Sequence, residues 1–146
     1  MMNLISISVE GKPESQGSKT PIRRGNHIAL IEGTGTKPKR LKMWRDSIRA
    51  ELPILDEPIE EGVSVYLDFR FDRPKSVSVA KRPRMTVKPD LDKLCRAVLD
   101  SLTWNGETGV LKDDSRVVAI TANKTYVTPD SRPQGVSILI LPMESQ

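Results

Sequence analysis

Residues 90–102 constrain the fold more than any other stretch. Leu91, Leu94, Val98 and Leu102, joined by Cys95 and Leu99, recur at the three-to-four spacing of an amphipathic helix. Pro89 imposes an extended approach, Asp90 is suited to the N-cap position, and Trp104-Asn105-Gly106 breaks the pattern. Such a helix must lay its apolar stripe on another element, and the flanking segments supply strands. Val63, Val65, Leu67, Phe69 and Phe71 alternate with mostly polar neighbours, the period of a half-buried strand. Residues 116–127 and 135–141 read as two more strands, separated by a Pro-containing turn. Before them, Leu4, Ile5, Ile7 and Val9 mark a first strand closed by Gly11-Lys12-Pro13. Leu41, Trp44, Ile48 and Leu52 set a helix over 39–52 that Pro53 ends. The order strand, helix, strand, helix, strand, strand predicts an α+β (α/β) fold. The expectation is a single domain over residues 1–146, with a mixed β-sheet and about two helices covering one face.

Charge is unevenly spread. The formal net charge is only +4. Yet residues 12–49 hold ten basic side chains against Glu14, Glu32 and Asp46, and residues 70–96 hold nine against Asp72, Asp90 and Asp92. Two Pro- and Ser-containing loops carry much of this charge. One spans 12–38, with a short hairpin expected near 27–32, and the other spans 72–89 and contains Lys81-Arg82-Pro83-Arg84. Clustered positive charge suits a polyanion, and a solvated basic face is the plain alternative. Lys19, Arg23, Arg24, Arg82, Arg84, Lys88 and Lys93 are the candidate nucleic-acid phosphate contacts.

With 37% apolar and 4% aromatic residues, the core should be modest and the polar surface large. Cys95 is the only cysteine, so no intrachain disulfide can form and a reducing compartment fits. The opening residues lack the regions of a signal peptide, and no apolar run approaches a membrane span. A soluble cytoplasmic protein is the expectation.

The chemistry concentrates in Lys88-Pro89-Asp90-Leu91-Asp92-Lys93-Leu94, then Arg96 and Asp100, then Asp113-Asp114. Asp92, Arg96 and Asp100 share a helix face by their spacing of four. Gathered carboxylates repel one another unless a cation or a proton neutralises them. All-oxygen ligands select hard ions such as Mg²⁺ or Mn²⁺, and one histidine, His27, with one thiol leaves almost nothing for zinc. A carboxylate-held Mg²⁺ among Lys and Arg suits phosphoryl transfer, because it lowers the pKa of a bound water and stabilises charge on the leaving oxygen. Arg96 or Lys88 can stabilise the transition state. The spacing leaves open whether Asp113-Asp114 returns near the start of the helix or near its end. Short acidic pairs also cap helices and decorate loops, so these residues alone support a Mg²⁺ site beside a nucleic-acid surface and go no further.

The stretch Lys-Pro-Asp-Leu-Asp-Lys-Leu-x-Arg-Ala-Val-Leu-Asp-Ser-Leu, followed by Asp-Asp-Ser-Arg-Val-Val, resembles the signature of the RusA-type Holliday junction resolvases, over about residues 88–120. The resemblance implies a RusA-like fold and a homodimer. It also implies a Mg²⁺-dependent endodeoxyribonuclease (Mn²⁺ as a substitute) that makes paired cuts in four-way junctions and other branched DNA during recombination and repair. A phage or prophage origin is compatible with it. Asp90, Asp92 and Asp114 occupy the positions of the family's metal ligands, with Asp113 a further candidate. Arg96 stands where the family carries a catalytic lysine, and Asp100 matches a helical aspartate read as structural support. Lys93 replaces the usual Asn, Arg96 replaces the lysine, and the linker 103–112 is longer than typical. Two alternatives stand beside this reading. One is a branched-DNA-binding protein without catalysis. The other is a transferase using Asp-x-Asp for a nucleotide–metal complex, which the pair's position at the start of a helix disfavours.

Overall fold

The structure, a computed structural model, describes residues 4–17, 20–31 and 36–143. Its elements follow the predicted order, with a hairpin added: β1 (Ile5–Glu10), β2 (Thr20–Arg24), β3 (His27–Ile31), α1 (Lys37–Glu51), β4 (Val63–Phe71), α2 (Leu91–Leu102), β5 (Val117–Tyr126) and β6 (Gly135–Pro142). A single 3-10 turn, Asp114–Arg116, leads into β5. Helix α1 starts two residues before the apolar pattern that announces it. Pro38 lies in the first turn, where a missing N–H costs nothing. The hairpin also starts earlier than expected. Arg24 pairs with His27 across a two-residue turn in which Gly25 takes a positive φ of 61°.

Strands β1, β6, β4 and β5 form one mixed sheet in that order. The first three pair antiparallel, and β4 runs parallel to β5. A parallel pair needs a crossover, and α2 is that crossover. It therefore runs back along the sheet, so its C-terminal end and the start of β5 lie at the same end of the molecule. Val65, Leu67 and Phe69 of β4 pair with Ile140, Ile138 and Val136 of β6 and project to one face, where all six are buried. Leu41, Trp44 and Ile48 of α1 and Leu94, Ala97, Val98 and Leu102 of α2 complete this core. Burying a Leu or Ile side chain contributes roughly 1.5–3 kcal/mol, so this layer dominates stability. Helix α1 packs against α2 and β1, while α2 reaches over β5.

Among the described residues, no helix covers the other sheet face. Tyr66 is exposed there beside Thr121 and Asn123. One charge in the sheet is nevertheless buried: Arg70, 3% exposed, donates to the carbonyl of Pro133 at 3.0 Å and to the Ser137 hydroxyl at 2.9 Å. Strand β5 is an edge strand. Its Val118 and Ile120 are 60% and 45% exposed. Among the described residues no helix is long and apolar enough to cross a membrane.

Candidate active site

Helix α2 opens after the cis peptide bond Lys88–Pro89. Asp90 takes the extended N-cap backbone, as expected, but its carboxylate makes no capping hydrogen bond. It pairs instead with the Lys93 ammonium at 3.2 Å. Lys124 of β5 holds this approach in place by donating to the carbonyls of Val87 and Pro89 at 2.6 and 2.7 Å. A lone lysine in a strand gave no sign of that role in the sequence.

The far end of α2 carries Asp114. Linker 103–112 folds back on itself. Val110 and Leu111 donate to the Leu102 carbonyl at 2.8 and 2.9 Å, Trp104 donates to Leu111 at 2.6 Å, and Ile59 and Lys112 pin the return. Gly109 makes the closure possible. Its φ is +96°, and a Cβ there would fall 2.3 Å from the Thr103 carbonyl oxygen. The return ends at the 3-10 turn, where the Thr103 hydroxyl donates to Asp114. The structure thus decides between the two returns that the spacing left open: Asp114 lies at the C-terminal end of α2. Asp113 turns its carboxylate onto the Ser115 amide at 2.9 Å, capping the turn, and hydrogen bonding from the Ser115 side chain, then from its amide, lowers the Asp113 pKa.

Two clefts meet at Asp114. A groove of about 640 Å³ between α2 and β5 is lined by Leu91, Asp92, Cys95, Arg96, Leu99, Ile120 and Ala122 as well. It brings Asp92, Arg96 and Asp114 onto one surface, with Asp92 in the first turn of α2 and Asp114 beyond its last. A charged cleft of about 780 Å³ lies on the other side, with Lys42, Arg45 and Arg49 of α1 facing Asp100, Asp113 and Asp114. The row Asp92, Arg96, Asp100 therefore divides, and Asp100 turns toward α1. Gln16 bridges there, donating to Asp100 and accepting from Arg45 at 2.6 Å, while Arg45 lies 3.8 Å from the Asp100 carboxylate. Arg49 donates to the Asp100 and Ser101 carbonyls near the end of α2.

Partial burial pushes the Asp114 carboxyl above its ordinary range. The Thr103 hydroxyl works against that push, and the Asp100 carboxylate beside it adds to it. Asp100 as a direct neighbour of Asp114 is a site contact that the sequence reading missed, because nothing in the spacing joins the end of a helix to a turn beyond a folded linker. Asp90 does not join this cluster. It is ten residues from Asp100 along a helix, roughly 15 Å at 1.5 Å per residue. Among the described residues no three His, Cys, Asp or Glu side chains of one chain gather closely enough to hold a metal.

The expected DNA contacts divide as well. Arg84 and Lys88 are exposed, and Arg23 and Arg24 are exposed beside the hairpin turn, where Arg23 donates to the Gly25 carbonyl at 3.3 Å. Arg82 is half-buried and donates to the Tyr126 hydroxyl at 3.2 Å, and the Arg73 guanidinium stacks over the same ring. Lys93 is engaged with Asp90. Lys19 lies outside the described residues.

No curated protein matches the chain. The family model described as Endodeoxyribonuclease RusA matches residues 13–138.

Proposed function

The chain belongs to the RusA endodeoxyribonuclease family, and from that premise we propose that it resolves four-way DNA junctions by paired, metal-dependent phosphodiester hydrolysis as a homodimer, in recombination and repair. The observation that carries the reading is the groove between α2 and β5, where Asp92, Arg96 and Asp114 share one surface in a chain of this family.

The donor set fits a hard divalent cation. Asp114 is a partly buried carboxyl raised by burial and by a neighbouring carboxylate, which is a local excess of negative charge that a cation relieves. Mg²⁺ needs only one or two protein carboxylates when water and a substrate phosphate fill its other positions. Asp90 and Asp92 at the start of α2 would hold it, with Asp114 supplied by the second copy of the proposed homodimer, since one chain keeps Asp114 at the other end of α2, and Mn²⁺ would serve as a substitute. When bound, such an ion makes water acidic enough to attack at neutral pH and offsets charge on the phosphate.

The chain's own residues do the rest. Arg96 presents a permanent positive charge to the phosphoryl oxygens as the bond breaks. It cannot release a proton near neutral pH, so its part is electrostatic. Lys88, exposed at the start of α2, and Arg84 in the preceding loop would hold the flanking phosphates, making binding steeply salt-dependent. Asp100 would orient Asp114, and Gln16 and Arg45 fix Asp100 in turn.

A homodimer suits paired cuts, because two symmetric cuts need two sites related by a two-fold axis. The test is incubation of the protein, and of Asp92→Asn, with a synthetic four-way junction and Mg²⁺. The wild type should make paired nicks and the variant none. Paired nicking retained by the variant removes Asp92 from the site, and a wild type that binds without cutting removes the nuclease reading.

A further inference from the structure

We propose that the outward face of α1 is a track for the DNA backbone, on which Lys39 and Lys42 hold phosphates flanking the cut, on the side of Asp114 away from the α2–β5 groove. The placement beside the cut rests on reading Asp114 as part of the cutting site. The phosphate contact itself does not. Helix α1 carries six cations, Lys37, Lys39, Arg40, Lys42, Arg45 and Arg49, against Asp46 and Glu51. Packing accounts for little of this charge, since the residues that α1 buries are Leu41, Trp44 and Ile48. Helix electrostatics does not account for it either. Four of the six cations lie in the first two turns, where the helix dipole disfavours positive charge, and the first turn holds no acid. A polyanion laid along this face removes that conflict.

Local partners engage only part of the charge. Arg40 reaches Glu14 at 3.4 Å and donates to the Thr36 hydroxyl at 2.6 Å. Arg45 and Arg49 are turned onto α2, through Asp100 and the carbonyls of Asp100 and Ser101, so they brace the two helices. Lys42 pairs with Asp46 at 2.7 Å, but the two side chains are 75% and 53% exposed. So exposed a pair contributes little and exchanges readily for a phosphate. Lys39 is exposed and forms no ion pair among the described residues.

Position selects the polyanion. Lys42, Arg45 and Arg49 line the charged cleft of about 780 Å³ that also holds Asp114, and Asp114 lines the α2–β5 groove as well. A strand with a phosphate at Asp114 therefore has a basic helix beside it. The acids of the cleft do not oppose that strand unpaired: Asp46 is held by Lys42, Asp100 by Gln16 and Arg45, and Asp113 by the Ser115 amide. Lys39, three residues before Lys42, carries the basic face out of the cleft toward solvent. From Lys39 to Arg49 the helix rises roughly 15 Å, the length of about four phosphates on one strand of B-DNA. The two arginines that are already engaged shape the wall, and the two lysines are left for the DNA.

Fluorescence anisotropy of a labelled four-way junction over a salt series, in EDTA so that nothing is cut, tests the contact. The double variant Lys39→Gln, Lys42→Gln should bind more weakly and flatten the plot of log affinity against log salt by roughly 1.8 units, about 0.9 for each lost phosphate contact. Lys39→Arg with Lys42→Arg should restore the slope, since charge is what the track supplies. Arg132→Gln, exposed in the β5–β6 connection at the other end of the sheet from Asp114, should leave the slope unchanged. A double Gln variant with the wild-type slope overturns the contact, and so does an Arg132→Gln that flattens it equally per charge. Placement is read separately. Cys95, the chain's only thiol, is buried, so an iron–EDTA reagent can be tethered at Lys39→Cys. Its radicals should break the nicked strand within a few nucleotides of the nick that the wild type makes in Mg²⁺. Breaks confined to distant parts of the arms overturn the placement. A wild type that never nicks removes the nuclease reading instead, and the salt series still decides the contact.

Discussion

The Thr103 hydroxyl donates to the Asp114 carboxylate, tying the C-cap residue of α2 to the turn that leads into β5. That bond lowers a carboxyl pKa that burial and Asp100 together raise. A carboxyl with a raised folded-state pKa contributes stability below its unfolded value, and the contribution is lost as pH rises through the folded value. Asp114→Asn removes that loss. The variant should melt above the wild type at pH 7, and the gap should close below about pH 4, near the ordinary aspartate pKa. Saturating Mg²⁺ should raise the melting temperature of the wild type and leave that of the variant unchanged. Thermal melts across pH, with and without Mg²⁺, check both.

Arg96 shares the α2–β5 groove with Asp92 and Asp114 and contributes charge without a proton. Arg96→Gln should lower kcat by roughly 10²–10³-fold, while KM for the junction changes little. Arg96→Lys should retain most of the rate, since the charge survives. Steady-state kinetics on a synthetic junction decides it. A Gln variant with unchanged kcat would remove Arg96 from the reaction.

Arg82 and Arg84 are two residues apart and should behave differently. Arg84 is exposed, whereas Arg82 donates to the Tyr126 hydroxyl. Arg84→Gln should weaken junction binding and flatten the plot of log affinity against log salt by about one unit, the signature of one lost phosphate contact. Arg82→Gln should mainly loosen the packing of the 72–90 loop on β5, seen as lower stability with a smaller change in slope. Fluorescence anisotropy over a salt series separates the two.

Gly109 closes the linker that carries Asp114. Gly109→Ala would hold a strained positive φ and drive a methyl into the Thr103 carbonyl. It should cost about 1–3 kcal/mol in urea denaturation and depress junction cutting as well, because the return to Asp114 must shift. Gly106 also has a positive φ, but a Cβ there meets nothing within 4 Å. Gly106→Ala should therefore carry backbone strain without that collision, and cost less.

Much of this protein is written in its periodicities. Val63 to Phe71 alternate because one face of β4 is buried, and Leu91, Leu94, Val98 and Leu102 recur because α2 lies on a sheet. Those local patterns give element type and burial with no partner specified, since backbone geometry alone sets periods of two and 3.6. The Asp-x-Asp helix start and the Asp-Asp pair likewise marked the acidic residues to watch. What the linear order left undecided was pairing and distance. The parallel register of β4 with β5 makes α2 run backward, and that direction parts Asp90 from Asp114 while setting Asp100 beside Asp114. Lys124 reaching the carbonyls before α2, and Asp90 engaged with Lys93 rather than capping, depend on contacts that no spacing encodes. A side chain's neighbours across the chain follow from how strands order themselves in a sheet, which is a property of the packed whole and not of any one segment.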